Sequence, residues 1–539
     1  MKKRVIRVSL ALFALAITNN VGAQVDPEIV NWYNGKLGMN TEKAYKKLKK
    51  KKSETVIVAV VDSGIDIEHE DLVGKIWTNA DEIPGNGIDD DKNGYIDDVH
   101  GWNFLGSKSG EHQDNARLEK TRILAKLSKK YDGIDESTVS SADKEEFALY
   151  QQVKQEVETE RAEYEAYLPQ LEMLPAIMKQ IPTMIETQLG KADYTVEDLK
   201  AWEPTDPQMA QLKGLAIAMK KGDFTEETVK KQKEQIESML NYNLNVDYDD
   251  RSLIGDNVDD FSDVHYGNND VEGPDALHGT HVGGIIGAIR GNDKGGDGVA
   301  ENVQLMVLRA VPNGDEFDKD IALAIRYAVD NGAQVINMSF GKAYSPHAKE
   351  VYEAFKYADS KGVLLVHAAG NDAKDIDTEP NFPTYKYSFQ PERLDHFLTI
   401  GASTRFAKPT KEDKKEGIDY GSLAASFSNY GQVGVDVFAP GFEIWNTVPQ
   451  SDYMKLQGTS MAAPMVSGVA AMLKSYFPTL TMSEIKNIML TTATPYKGSM
   501  QQMPGEEKAV DFGTLSTTGG VVNVLAAVKA CQKLEKSKQ

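Results

Sequence analysis

The sequence has little cysteine, a deficit of positive charge and few long apolar runs. Its single cysteine, Cys531, excludes a disulfide within the chain, so any cross-link that stabilises the fold has another chemistry. Lysine and arginine together number 60 against 81 aspartates and glutamates, and the formal net charge is -21. Because nucleic-acid binding needs a basic surface, we expect no nucleic-acid partner.

The most apolar run lies near the N-terminus and is too short for a stable membrane span. Basic residues occupy positions 2–4, the apolar stretch covers 8–17, and small residues stand at 21–23. This order predicts a signal peptide over residues 1–23, in preference to a buried N-terminal helix. We therefore predict an exported protein, periplasmic or extracellular. We expect the mature chain to be a monomer without a membrane span.

Continuous apolar runs alternate with helical stretches over much of the chain. Such runs suit strands that are buried on both faces of a parallel sheet. Strands in alternation with helices predict an α/β fold with helices on both sides of that sheet. The predicted strands are 55–61, 304–309, 334–338, 363–367, 397–400 and 435–438, and the clearest helices are 320–331 and 460–476.

Residues 106–245 interrupt this alternation and are rich in Lys, Glu and Gln. Apolar residues recur at helical spacing from Phe147 to Leu168, and Thr195–Asp198 fits a capping box. A structureless loop of this length is implausible in a compact domain, so we predict an inserted, mostly α-helical subdomain. The α/β domain then comprises 24–105 and 246–532, and residues 533–539 form a C-terminal tail.

Three short motifs each place a reactive side chain at the end of a predicted element. Asp62 follows the first strand, His278 begins a helix in HGTH, and Ser460 begins another in GTSMAAP. A serine hydroxyl becomes a good nucleophile when an imidazole removes its proton and a carboxylate orients that imidazole. We therefore predict Ser460 as nucleophile, His278 as general base and Asp62 as its orienting group. His281 is expected to be a packing residue.

A fourth segment supplies the remaining part of such a site. Asn371 follows the predicted strand 363–367 in the run AAGN, so its amide can donate to a tetrahedral oxygen beside the Ser460 backbone N–H. Each motif alone is common, since DSG usually forms a turn and GTS often starts a helix. Their presence in one chain and in this order predicts a catalytic site.

The motifs VVDSGID (60–66), HGTHVGGIIGA (278–288), AAGN (368–371) and GTSMAAP (458–464) resemble those of the subtilisin family of serine proteases. The resemblance implies a three-layer subtilisin-like fold and an endopeptidase that cleaves proteins or peptides through an acyl-enzyme. Two alternatives stay open. One is a catalytically silent relative that binds or holds partners, and the other is a processing protease of narrow specificity.

The same resemblance implies where a substrate binds. An edge strand that pairs with the substrate backbone is expected at Ser339, Phe340 and Gly341. One wall of the pocket for the side chain before the scissile bond is expected at Ala368, Ala369 and Gly370. Asn381 should lie near the floor of that pocket, where many relatives carry glycine.

An acidic loop resembles the start of an EF-hand calcium site, with oxygen ligands at alternate positions and a glycine at the sixth. His100 stands where the last glutamate is usual, so Asp98 or a remote carboxylate must complete the shell. An acidic solvated turn is the alternative. We predict structural Ca2+ and no organic cofactor. The predicted ligands are Asp89, Asp91, Asn93, Tyr95 and Asp97, and the resemblance implies a second site at Asp71, Asn292 and Asp293.

The stretch 24–54 between the predicted cleavage and the first strand is short. We expect it to hold the N-terminal arm of the α/β domain rather than an inhibitory prodomain. Together with the insertion, this leads to the hypothesis that residues 106–245 act as a lid or folding aid beside the cleft.

Overall fold

The computed structural model describes residues 27–222, 224–409, 411–415 and 417–538, so the predicted signal peptide lies outside the described residues. The chain forms two compact units. The smaller contains Glu158–Asn241, and the larger contains the described residues up to Val157 together with those from Tyr242 onward.

The strands are β1 (Val56–Asp62), β2 (Gly101–Asn103), β3 (Val303–Arg309), β4 (Val335–Met338), β5 (Leu364–Ala368), β6 (Phe397–Ser403), β7 (Val437–Pro440), β8 (Ile444–Val448), β9 (Asp452–Leu456), β10 (Thr494–Pro495), β11 (Met500–Gln502), β12 (Ala509–Asp511) and β13 (Gly520–Val521). The helices are α1 (Pro27–Val30), α2 (Thr41–Leu48), α3 (Glu119–Tyr131), α4 (Lys144–Leu189), α5 (Val196–Ala201), α6 (Pro207–Lys221), α7 (Glu226–Ser238), α8 (Leu277–Gly287), α9 (Asp318–Asp330), α10 (Ala348–Ser360), α11 (Lys411–Lys415), α12 (Thr459–Tyr476), α13 (Met482–Thr491) and α14 (Val524–Lys538).

A nine-stranded sheet forms the centre of the larger unit, in the order β10-β13-β7-β6-β5-β4-β1-β3-β2. Its neighbours pair in parallel except β10 and β13, which are antiparallel. Within β1, Val58 and Val60 belong to one buried cluster, whereas Ala59 and Val61 belong to another. Successive side chains of a strand point to opposite faces, so apolar residues at every position bury both faces.

Helices cover both faces of this sheet. The cluster that holds Val58 also contains Val282 of α8 and Val466 of α12, and the cluster that holds Val61 contains Ile325 of α9 and Phe355 of α10. The predicted three-layer α/β fold is therefore confirmed. Each predicted strand is also present, with small shifts at its ends.

The helices of the smaller unit begin with a helix that is longer than its sequence pattern indicated. α4 continues past Leu168 through Pro169, Pro175 and Pro182. Each proline removes a helical N–H, so the pattern alone favours an earlier end. In the smaller unit, apolar side chains of α4 pack against those of other helices, and this burial outweighs the poor propensity.

The capping box of the smaller unit is present at Thr195, whose side chain accepts from the backbone of Asp198 while Asp198 accepts from the backbone of Thr195. The smaller unit covers fewer residues than the predicted insertion, because α3 and the start of α4 belong to the larger unit. The predicted domain boundaries stay a prediction. Among the described residues, no helix combines the length and apolar character that crossing a membrane requires.

Candidate active site

The four residues predicted for catalysis lie near the ends of neighbouring elements. Asp62 is the last residue of β1, and Asn371 lies just beyond β5. Between these two strands lies β4, which leads into Ser339–Gly341. His278 and Ser460 are the second residues of α8 and α12. The carboxyl ends of parallel strands are where α/β sheets commonly form their sites.

Asp62 and His278 form a close pair. Asp62 Oδ1 lies 2.7 Å from His278 Nδ1 and also accepts from the Ser63 backbone N–H at 2.8 Å. Asp62 is only 2% exposed. Two glycines permit the approach, because a Cβ at Gly279 would lie 2.0 Å from the carbonyl oxygen of Gly64, which itself has a φ of +115°.

The electrostatics of this pair favour a basic imidazole. Burial lowers the pKa of His278, but the charge of Asp62, its hydrogen bond and the charge of Asp275 together raise that pKa above its usual value. His281, in the same motif, is fully buried with Nε2 3.1 Å from the carbonyl oxygen of Ile444. Burial lowers the pKa of His281 to about 3, so this histidine is a neutral packing residue.

Ser460 is held by contacts with the end of β4. Its Oγ donates to the carbonyl oxygen of Ser339 at 3.1 Å, and Ser339 Oγ donates back to the carbonyl of Ser460 at 2.9 Å. Within the part of the chain that the structure describes, no hydrogen bond joins Ser460 to His278. Hydrogen bonds of this kind often form only when substrate is bound, so the free geometry does not argue against the pair.

Asn371 is fixed in one orientation. Its Oδ1 accepts from the backbone N–H of Thr459 at 2.8 Å and from Thr459 Oγ1 at 3.0 Å. Its Nδ2 and the Ser460 backbone nitrogen each lie 3.5 Å from the point where a Cβ of Gly458 would stand. Two nitrogens that can donate hydrogen bonds thus lie beside the space that the missing side chain of Gly458 leaves open, and an oxyanion needs donors of this kind.

The residues predicted to bind substrate lie beside Ser460. β4 ends at Met338, so Ser339, Phe340 and Gly341 continue from it outside the sheet. Asn381 Nδ2 donates to the carbonyl of Ala369 at 3.2 Å, and a Cβ at Gly341 would lie 2.5 Å from the same nitrogen. Asn381 therefore occupies the space between Gly341 and the segment Ala368–Gly370, and its role at the floor of a substrate pocket stays a prediction.

A pocket of about 570 Å³ adjoins Gly341 and Asn381. Part of its lining comes from Gln152 and Glu156, which lie on α4 within the larger unit. Tyr344 donates its hydroxyl hydrogen to Glu156 at 2.9 Å and accepts from Gln152 at 2.9 Å. Residues of the predicted insertion therefore form one wall of this pocket.

A buried charged network lies next to the substrate segment, and sequence analysis missed it. Lys342 Nζ contacts Glu119 Oε2 at 2.8 Å, Asp318 Oδ1 at 2.9 Å and the carbonyl of Glu316 at 2.7 Å. Arg122 pairs with the same carboxylate of Glu119 at 2.6 Å. Burial alone would raise the pKa of Glu119, but Arg122 and Lys342 lower it to about 2. The only sequence signal was a lysine directly after NMSFG.

The acidic loop forms a carboxylate cluster that differs from the predicted ligand set. Oxygens of Glu82, Asp91 and Asp98 lie within 4.8 Å of one another, and Glu82 Oε2 is buried without a hydrogen-bond partner. Burial raises the pKa of Asp98 to about 6. Such a group of hard oxygen donors fits a divalent cation. Asp98 and Glu82 thus place two further carboxylates beside Asp91, and a calcium site at this loop stays a prediction.

The other predicted ligands of this loop have local roles. Asp89 accepts from the backbone N–H groups of Asn93 and Gly94, and Asp97 accepts from those of residues 86 and 87. Asn93 Nδ2 donates to Asp91 and Asp98 at 3.0 and 2.9 Å. The ring of Tyr95 packs on aromatic neighbours, Trp102, Phe104 and Tyr327.

The second predicted cation site has two of its residues in contact. Asn292 Nδ2 donates to Asp71 Oδ1 at 2.6 Å, and Asp71 Oδ2 is buried without a partner. Burial raises the pKa of Asp71. Asp293 adopts a left-handed φ of +59° in the same loop. An orphaned buried carboxylate oxygen beside an amide also fits a cation.

Comparison with known proteins gives one family. A model described as "Subtilase family" matches residues 53–519. The thermophilic serine proteinase of Bacillus sp. (strain AK1) is 37% identical over 233 residues, which cover 43% of this chain and 50% of that protein. Subtilisin DY of Bacillus licheniformis is 34% identical over 218 residues, which cover 40% of this chain and 70% of that protein. Thermitase of Thermoactinomyces vulgaris is 38% identical over 199 residues, which cover 37% of this chain and 61% of that protein.

The matched region spans about half the length of the thermophilic proteinase. Among solved structures, a chain from a study of subtilase cytotoxin SubAB assembly is similar at 24% identity with a TM-score of 0.39. That match covers 49% of this chain and 78% of the other.

Proposed function

Since this chain belongs to the subtilase family of serine proteases, we propose that it is an endopeptidase that hydrolyses proteins or peptides through an acyl-enzyme on Ser460. The observation that carries this proposal is the pair of donors, Asn371 Nδ2 and the Ser460 N–H, which converge beside the nucleophile while Asp62 holds His278 at 2.7 Å. Such preorganised donors matter only when charge develops on a substrate oxygen.

Substrate binding itself can prepare the nucleophile. In the free protein the Ser460 hydroxyl donates to the Ser339 carbonyl, which is the acceptor that an incoming peptide N–H would use. A peptide that pairs with Ser339 displaces this hydroxyl, which can then rotate toward His278. The imidazole takes its proton as Ser460 attacks the scissile carbonyl, and Asp62 stabilises the imidazolium. His278 then returns the proton to the leaving amine.

Calcium binding is proposed for structural stability rather than for chemistry. Glu82, Asp91 and Asp98 would hold one ion, and Asp71 with Asn292 would contribute to a second. Ca2+ supplies positive charge that offsets crowded carboxylates and stiffens loops. Because the chain has a single cysteine, disulfides within it cannot fill that role. Export to the periplasm or medium also remains part of the proposal, on the N-terminal sequence pattern alone.

Fluorophosphonate labelling of the purified protein tests this function. Wild type, Ser460→Ala and the exposed-serine control Ser360→Ala should be labelled side by side in calcium, and the modified residue mapped by mass spectrometry. We expect label on Ser460 in wild type and in Ser360→Ala, and none in Ser460→Ala. Absence of label in wild type would support the catalytically silent alternative instead.

A further inference from the structure

A second cleft, of about 300 Å³, lies beside the catalytic pair. Asp62 and His278 line one part, and Ser339–Gly341 lines another. In the sheet order, β4 separates β5 from β1 and β3. This cleft, which also includes Arg309 at the end of β3, therefore lies on the opposite side of the substrate segment from Ala368–Gly370.

The wall of this cleft carries more negative than positive charge. Asp62, Asp114 and Asp275 contribute carboxylates. No described residue forms an ion pair within 4 Å of Asp114 or Asp275. The guanidinium of Arg309 offsets only part of this charge. It donates to three neutral oxygens, those of the Ser63 carbonyl at 3.1 Å, the Asn103 side chain at 3.1 Å and the Gln113 carbonyl at 2.9 Å.

Glu316 supplies an independent indication of a ligand. It lines the cleft and is only 2% exposed. Among the described residues, none but its own backbone amide contacts its carboxyl group within hydrogen-bond distance. Burial raises the pKa of Glu316 to about 8 despite the opposing charge of Lys342. A buried carboxyl whose hydrogen bond comes from its own backbone keeps further lone pairs free, and a donor entering the cleft would use them.

We propose that this cleft binds a lysine or arginine side chain from the acyl part of the substrate. The proposal rests on the proposed protease function. An extended peptide paired with Ser339–Gly341 points successive side chains to opposite faces. If the residue before the scissile bond faces Ala368–Gly370, the second and fourth residues before it face the cleft. A cationic side chain there meets Asp114 and Asp275 and provides a second donor for Glu316.

Matched peptides test the inference. Pairs that differ only by Lys or Gln at the second or the fourth position before the scissile bond should be compared by kcat/KM in low salt. We expect the Lys peptide to be preferred at one of these positions by about tenfold or more, as for a charge-assisted hydrogen bond. Asp114→Asn and Glu316→Gln should each reduce that ratio, and the exposed control Glu507→Gln should leave it unchanged. Raising the salt should shrink it.

Binding of the same peptides to Ser460→Ala separates this proposal from the proposed function. A lower Kd for the Lys peptide that depends on Asp114 and Glu316 supports the cleft even if wild type cleaves nothing. Efficient cleavage with equal kcat/KM and Kd for both peptides overturns the cleft while the protease function stands. A preference that survives both substitutions also overturns it, because the charge would then be recognised elsewhere.

Discussion

Replacing Glu119 by alanine should lower the stability of the larger unit and weaken its binding of substrate. The substitution leaves Lys342 Nζ, whose side chain is 2% exposed, with Asp318 and the Glu316 carbonyl as its contacts. Arg122 loses its closest carboxylate as well. Removing one partner of a buried ion pair typically destabilises by about 3–5 kcal/mol. Since Asp318 still offsets Lys342, we expect the lower end, about 3 kcal/mol.

The effect on activity follows from chain position. Lys342 directly follows Gly341, so loss of its ion pair with Glu119 should disturb the neighbouring segment, Ser339–Gly341, which is proposed to pair with substrate. We expect KM for a peptide to rise more than kcat falls, because Asp62, His278 and Ser460 keep their own supports. Glu119→Gln keeps hydrogen bonding without the charge and should fall between wild type and Glu119→Ala. A general loss of folded protein would instead lower kcat alone.

Urea unfolding at pH 7 and at pH 3 is the assay, with the exposed Glu145→Ala as control. The folded-state pKa of Glu119 is about 2, below the ordinary value of 4.5. Its stabilisation is thus full above pH 4.5 and is lost as the pH falls toward 2. Wild type should lose this contribution in that window, and Glu119→Gln should not. If the free energies of unfolding of Glu119→Ala and Glu145→Ala at pH 7 differ by less than about 0.5 kcal/mol, the reasoning is refuted.

Three other predictions concern the site and its loops. Asn371→Ala should reduce kcat by about 10²- to 10³-fold with little change in KM, because its donor acts on the transition state; an unchanged kcat in steady-state assays would exclude that role. Asp275→Asn removes a charge that raises the pKa of His278, so the acid limb of the kcat/KM–pH profile should move to lower pH. An acid limb that stays in place or moves to higher pH would contradict this. Calcium at about 100 times its Kd should stabilise the protein by about 2.7 kcal/mol in thermal melts. Glu82→Gln should reduce that gain and Glu507→Gln should not, whereas equal melting with and without chelator would contradict a bound ion.

Sequence patterns predicted the sheet well because its strands are buried on both faces. Val56–Asp62 is apolar at nearly every position, and it forms the strand that lies between β4 and β3. The position of Asp62, His278 and Ser460 at element ends was also predictable, since each sits in a short local motif, and their catalytic roles stay a prediction. The predicted signal peptide lies outside the described residues, and the insertion's role as a lid stays a prediction.

Features that depend on distant residues were not predictable. Glu119 and Lys342 are 223 residues apart in the chain, and neither lies in a local pattern that marks a buried pair. Glu82 precedes the calcium-like loop, so motif spacing alone could not indicate that its carboxylate lies beside those of Asp91 and Asp98. Helix α4 runs through Pro169 because tertiary packing outweighs a local propensity rule. In each case the deciding interaction is non-local.

The parallel pairing of β1 with β3 and β4 also governs when the active site can form during folding. Asp62 and His278, which contact each other, are 216 residues apart in the chain. Ser460 and Ser339, which also contact each other, are 121 residues apart. Contacts at such separation give a high contact order, which slows folding. An unfinished chain leaving the ribosome has Asp62 early but lacks Ser460 until late. The proposed proteolytic activity therefore requires a nearly complete fold, because its nucleophile Ser460 lies close to the end of the chain.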